Sequence, residues 1–218
     1  MPHTPVFAKD TITIGITQFP STFHPSINSM LAKSYIVNMT NRAVTTYDQE
    51  WKLVCLLCVT LPTIENGLAQ TETLSDGTSG VAITYSIHPN ASWGDGVPVT
   101  STDVIFTWTA GRNEQTGFAA LEGYRRILSI DEIDEKTFTL HIDRLSYDYN
   151  SLNNFYLLPA HIEREPFIDP SQYRHRTVYD TDPTNSGLYF GPYKIVHIQP
   201  GAEVILQKNP TWFGAKPF

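Results

Sequence analysis

Positive charge is scarce in this sequence: 15 Lys and Arg stand against 22 Asp and Glu, a formal net charge of −7 at pH 7. No basic stripe or arginine-rich block is present, which argues against nucleic acid as a partner. Long apolar runs are missing too. No stretch approaches the roughly 18 to 20 apolar residues that a membrane-spanning helix needs. Cysteine is nearly absent, with Cys55 and Cys58 the only pair, whereas a structural zinc site asks for four ligands. Charged residues make up 17% of the chain and are scattered rather than blocked, so the composition carries no signature of disorder.

Catalytic signatures are lacking as well. There is no G-x-S-x-G elbow, no P-loop, no G-x-G-x-x-G and no H-E-x-x-H. Gly94-Asp95-Gly96 looks like a piece of a phosphate loop, but Pro98 follows where Lys-Ser/Thr would have to stand, so a turn is the better reading. The seven histidines are spread widely, without the H-x3-5-H spacing of a metal site. Asp131, Glu132, Asp134 and Glu135 cluster, but lack the spaced ligand pattern and glycine of a calcium loop; they read as a solvated turn. Asn38 and Asn90 head glycosylation sequons, a motif short enough to arise by chance. These absences point to a protein without enzymatic activity, cofactor or metal.

What is present is a well-patterned globular chain, 41% apolar and 12% aromatic, long enough to bury a core. Thr11 to Thr17 (TITIGIT) alternates polar with β-branched residues and predicts a strand. Met30 to Arg42 fits a helix, and Val44 to Tyr47 a short strand. Ser75-Asp76-Gly77 marks a hairpin turn before the strand Val81–Ile87. Trp93 to Val99 forms a compact turn in which Gly94 and Gly96 permit positive φ. Thr100-Ser101-Thr102-Asp103 has the form of a capping box and opens a helix to about Arg112, with Val104, Ile105 and Trp108 on one side. Two strands, 126–132 and 136–142, a short helix over 147–154, a helix around Ser171, and two final strands, 193–198 and 204–207, complete the reading. The class is α/β of the mixed α+β kind, with substantial antiparallel sheet.

The C-x-x-C pair admits three readings: a structural disulfide, two buried thiols, or redox or metal chemistry. The redox reading suffers because Pro62 breaks the helix that should follow. At the N-terminus, Val6-Phe7-Ala8 has the small-x-small form that ends an export signal, which would start the mature sequence near Lys9. The alternative is a disordered tail of a cytoplasmic protein.

Three blocks, in order, carry a resemblance. The first is TITIGIT with the loop that closes at Phe23-His24-Pro25. The second runs from Ile83 through Trp93-Gly94-Asp95-Gly96-Val97-Pro98-Val99-Thr100 to Thr107. The third is Gly191-Pro192-Tyr193-Lys194-Ile195-Val196 followed by Gln207-Lys208-Asn209-Pro210-Thr211-Trp212-Phe213-Gly214. Together they resemble the family 5 extracellular solute-binding proteins, the dipeptide- and oligopeptide-binding components of ABC importers. His24 stands where that family commonly has an acidic residue.

The resemblance implies a periplasmic-binding-protein-like class II fold, with this chain as its first lobe. The base of the lobe would comprise residues 1–43 and 157–218, with 44–156 as an inserted antiparallel sub-domain. The second lobe would be absent, since family members are more than twice as long. It also implies a periplasmic location, a peptide ligand and the membrane permease of an importer as partners. Alternatives are another solute on the same fold (a nickel chelate, a sugar or an opine) or, further off, a peptide-acting hydrolase. The peptide-facing backbone would lie around Asn28, Ser29 and Met30, with the 114–124 loop and Phe118 facing the same cleft. Export makes a short-loop disulfide the expectation for Cys55 and Cys58.

Overall fold

The computed structural model describes residues 11–217; the export-signal motif at Val6 to Ala8 lies outside them. The architecture is mixed α/β and is built on three antiparallel sheets. Helix α1 (Leu31–Thr40) precedes a two-stranded ribbon of β1 (Thr45–Tyr47) and β2 (Leu53–Cys55). A four-stranded sheet follows, in the order β3-β4-β6-β5. Its members are β3 (Ala69–Thr73), β4 (Ser79–Ser86), β5 (Ile127–Glu132) and β6 (Thr137–Ile142). Between β4 and β5 lie α2 (Ser101–Gly111) and the single turn α3 (Glu122–Arg125); α4 (Ala160–Glu163), α5 (Tyr173–Arg176) and α6 (Val178–Thr181) then lead to the hairpin of β7 (Tyr193–Gln199) and β8 (Glu203–Lys208).

The four-stranded sheet owes its stability to strict alternation. Val81, Ile83 and Tyr85 of β4 and Phe138, Leu140 and Ile142 of β6 all point to one face and are buried. At about 1.5–3 kcal/mol for each fully buried large side chain, this face alone commits the strand register. The opposite face is polar, with Thr84 and Thr139 hydrogen-bonded across the strands at 2.9 Å. The hairpin turn stands where Ser75-Asp76-Gly77 places it, and Gly77 takes φ +81°.

The capping box of α2 is formed as the sequence indicates. Asp103 also does more than cap. Its carboxylate accepts from the Thr100 amide (2.9 Å), the Trp93 indole (3.1 Å) and the Ala160 amide (2.8 Å). One buried carboxylate therefore ties the glycine-rich turn, the start of α2 and the start of α4 together. Helix α2 buries a wider stripe than expected. Phe106, Thr107 and Ala110 are inside with Val104, while Ile105 and Trp108 are half-buried.

Two expected elements do not form. Residues 11–16 belong to no strand or helix and are exposed, with Ile12 and Ile14 more than half accessible. A strand is completed only by pairing with a neighbour, and this segment pairs with none of the three sheets among the described residues. Residues 147–154 form successive turns rather than a helix. Their backbone and side chains are engaged elsewhere: Asn150 C=O accepts from Tyr85 Oη (2.7 Å), Asn150 Nδ2 donates to Pro62 C=O (2.6 Å), and Leu152 N–H donates to Thr45 Oγ1 (2.8 Å). Helix α1 ends at Thr40, two residues short of the expected Arg42.

Candidate functional site

Loop 20–28 is anchored by side chains along its whole length. Asp180 accepts from Thr22 Oγ1 (2.6 Å) and from the Phe23 amide (2.9 Å). His24 is completely buried. Its Nδ1 accepts from the amides of Ser26 and Ile27, both at 3.1 Å. The proton must therefore sit on Nε2, which lies 3.1 Å from Tyr173 Oη. Tyr173 donates its own proton to Glu163 Oε2 at 2.6 Å, and Glu163 also accepts from Thr177 and the Val178 amide. Burial, with the Lys33 charge adding to it, holds His24 well below the usual imidazole pKa. Burial raises the Glu163 carboxyl despite these hydrogen bonds.

The carbonyls of the same loop converge on Lys33, whose Nζ donates to Ile27 and Asn28 (2.6 Å each), His24 (2.9 Å) and Pro25 (3.2 Å). Burial lowers the Lys33 pKa to about 8, with Asp180 acting in the opposite direction. Asn28 takes φ +56°, left-handed backbone that a residue other than glycine adopts only under constraint.

Past this anchored loop the surface opens into a cavity of about 460 Å³, within the size range of small-molecule sites. Asn28, Ser29 and Met30 form one wall, with Asn28 and Ser29 exposed. Ala119, Ala120 and Gly123 make a second wall of small side chains, and the turns containing Asn153 and Asn154 a third. Tyr124 lines the floor, and burial pushes its hydroxyl up to about 12. Arg126 supplies positive charge but is already engaged by Asp143 (3.2 Å) and Ser146 (3.0 Å).

The structure thus brings Asn28, Ser29 and Met30 together on one cavity wall. It places Phe118 elsewhere: the ring is buried against His24 and Tyr124, and its backbone bridges to Ile27 of the same loop. The alanines that follow it are what reach the cavity. Cys55 and Cys58 are joined as a disulfide, their Cα atoms 5.1 Å apart, at the base of the β1–β2 ribbon and away from the cavity. Among the described residues no group of His, Cys, Asp or Glu is placed to hold a metal ion. The acidic cluster at 131–135 is engaged in local structure, with Asp134 capping its own turn through the Lys136 amide.

The sequence reading missed Lys33, Tyr124 and the Asn153-Asn154 turn. One signal was available for Lys33. It is the sole charged residue of α1, with no acidic residue in the helix to pair with.

Comparison with known proteins bears on the family and the fold. Residues 63–218 match the model of the bacterial extracellular solute-binding proteins, family 5 middle region. A Brucella ovis protein named "Putative ABC transporter peptide-binding protein" is 27% identical over 218 residues, covering 98% of this chain and 37% of that protein. Among solved structures, the oligopeptide-binding protein of Thermus thermophilus, complexed with a pentapeptide, superposes with a TM-score of 0.73 at 22% identity, covering 87% of this chain and 35% of the other. NikZ of Campylobacter jejuni, in complex with Ni(L-His), gives a TM-score of 0.66 at 16% identity, with 91% and 35% covered. The chain spans little more than a third of the length of these relatives. No helix among the described residues is long and apolar enough to cross a membrane.

Proposed function

This chain belongs to the bacterial extracellular solute-binding proteins of family 5, a family of binding proteins rather than enzymes, and on that premise we propose that it captures peptides outside the cytoplasm for an ABC importer. The observation that carries the proposal is the wall at residues 28–30. Asn28 and Ser29 are exposed there, and Met30 is extended where it enters α1. The amide and carbonyl of Ser29 have no hydrogen-bond partner among the described residues. A peptide lying along this wall pairs its main chain with such groups in the manner of an added strand, which gives affinity without dependence on side-chain identity. The small residues Ala119, Ala120 and Gly123 opposite leave room for side chains of varied size, and water fills the remainder.

Closure of a second lobe over the first is the mechanism that fits a cavity open on one side: the lobes exclude water and trap the solute. The proposed permease then recognises the closed form. Organisation as a base of residues 1–43 and 157–218 with 44–156 inserted is part of the same proposal. The isolated bridge between Ala43 and Tyr156 supports it, because the chain enters and leaves the middle segment at adjacent points, as an insertion requires. The capture of another solute, such as a metal chelate, is the competing reading. Native mass spectrometry of the protein purified from its own cells separates them. A ladder of peptide masses is expected, whereas a single chelate mass, or none above background, would reject the peptide reading.

A further inference from the structure

Lys33 is a costly residue for its position. It is 4% exposed and makes no salt bridge among the described residues. Desolvating an ammonium costs far more than burying a methionine of similar length. A cation in the first turn of a helix also opposes the helix dipole. Stability alone would be served better by an apolar side chain, with the loop carbonyls turned to solvent.

What the ammonium provides is geometry. Its three protons are shared among four carbonyls of one loop, those of His24, Pro25, Ile27 and Asn28. Two amides of that loop, Ser26 and Ile27, are held from the other side by His24 Nδ1. All peptides here are trans, so the N–H of each unit points opposite to its C=O. Turning the Asn28 carbonyl in to Lys33 therefore turns the Ser29 amide away from Lys33, and Ser29 itself is exposed and lines the cavity. Asn28 keeps its left-handed backbone because both of its ends are held.

We infer that Lys33 is the positioning residue of the solute-facing wall, its ammonium gathering the loop carbonyls so that the Ser29 amide is presented to the solute before the solute arrives. The inference deepens the peptide-capture reading and rests on it. Preorganisation of this kind improves affinity by removing the ordering cost from the binding step.

The test uses Lys33→Met and Asn28→Gly in the full chain as the cell produces it. Binding of a mixed di- to octapeptide pool is measured by calorimetry, and amide hydrogen exchange is followed in the solute-free protein. Lys33→Met is expected to weaken pool binding at least about tenfold. It should speed exchange at Ile27 and Asn28 about tenfold or more and leave β4 and β6 as protected as before. Asn28→Gly keeps Lys33 and relieves the left-handed strain, so it should fold at least as well as the parent yet bind several-fold more weakly; it carries the test if Lys33→Met does not fold. Pool binding within twofold of the parent in the variants that fold overturns the inference. So does an exchange increase spread evenly over the sheets, which marks a merely structural role. If the parent binds no peptide but exchange still rises only in the loop, the peptide reading fails and the positioning role of Lys33 stands.

Discussion

His24 performs the local task of a capping carboxylate with a ring nitrogen. An Asp or Asn side chain would cap the amides two and three residues ahead; here Nδ1 accepts those same two amides. A histidine in this role makes the loop acid-sensitive. A proton on Nδ1 would break both caps, and burial with the nearby Lys33 charge keeps the folded-state pKa well below 6.5. A depressed pKa contributes stability that is complete above the unfolded value and is lost as pH falls below it. The protein should therefore lose stability below about pH 6.5 relative to His24→Asn, on the order of 1.4 kcal/mol per pH unit until His24 itself titrates. Asp103 and Glu163, whose pKa values burial raises, act in the opposite sense: their contribution is complete below the unfolded carboxyl value and is lost as pH rises through the folded one. They are common to both proteins and cancel in the difference. Urea unfolding of both proteins at pH 7.5, 6.5, 5.5 and 5.0 checks this, and parallel curves would reject it.

At the scale of elements, the turn from Trp93 to Val99 and the β1–β2 ribbon carry the next two expectations. Gly94 and Gly96 serve different ends in one turn. Gly96 takes φ +93°, and a Cβ there would meet open space. Gly94 does not take positive φ; a Cβ there would sit 2.4 Å from the Ser186 carbonyl oxygen, because the turn packs directly on the chain before β7. Alanine should cost about 1–2 kcal/mol at Gly96 through backbone strain and about 1–3 kcal/mol at Gly94 through overpacking. Asparagine, which tolerates the left-handed region, should recover part of the loss at Gly96 and none at Gly94. Chemical denaturation of the four variants distinguishes the two causes. In the ribbon, the Cys55–Cys58 link spans a sequence separation of 3, so the chain-entropy relation gives it only about 2 kcal/mol. Thiol titration of unreduced, denatured protein should find no free thiol, and reduction should lower stability by no more than that amount. Two titratable thiols would refute the proposed oxidised pair.

At the scale of the molecule, the cavity is one-sided, and that determines what the chain can bind alone. A solute held between two lobes gains from contacts and desolvation on both faces, while the rigid-body cost of association, of order 4–15 kcal/mol, is the same with one lobe or two. Forfeiting about 3 kcal/mol of contacts carries a micromolar site more than 100-fold toward millimolar. Residues 1–218 alone should therefore bind the peptide pool at least about 100-fold more weakly than a protein of the relatives' full length. Calorimetry of the two side by side is the measure, and equal affinities would show that this surface holds the whole site.

Local rules made much of this legible from sequence. Hairpins with turn residues between alternating strands, the capping box at Thr100 and the buried faces of β4 and β6 all follow from periods and side-chain chemistry within a few residues, and so they were readable before any fold was known. The proposed wall at Asn28, Ser29 and Met30 was expected only through resemblance to a family. Where pairing or satisfaction depends on residues far away in the chain, local pattern was insufficient. TITIGIT alternates as a strand should, yet a strand also needs a pairing partner, and among the described residues this segment has none. Residues 147–154 have helix-compatible composition, yet Tyr85, Pro62 and Thr45 take their polar groups. Phe118 was expected at the cleft and went to the core, because His24, Tyr124 and Tyr173 surround it. Lys33 is the sharpest case. Sequence shows a lone cation on a helix; the tertiary structure alone decides that it turns inward, because only there do four loop carbonyls, all within nine residues in sequence but brought to one point by the fold, replace the water it gives up.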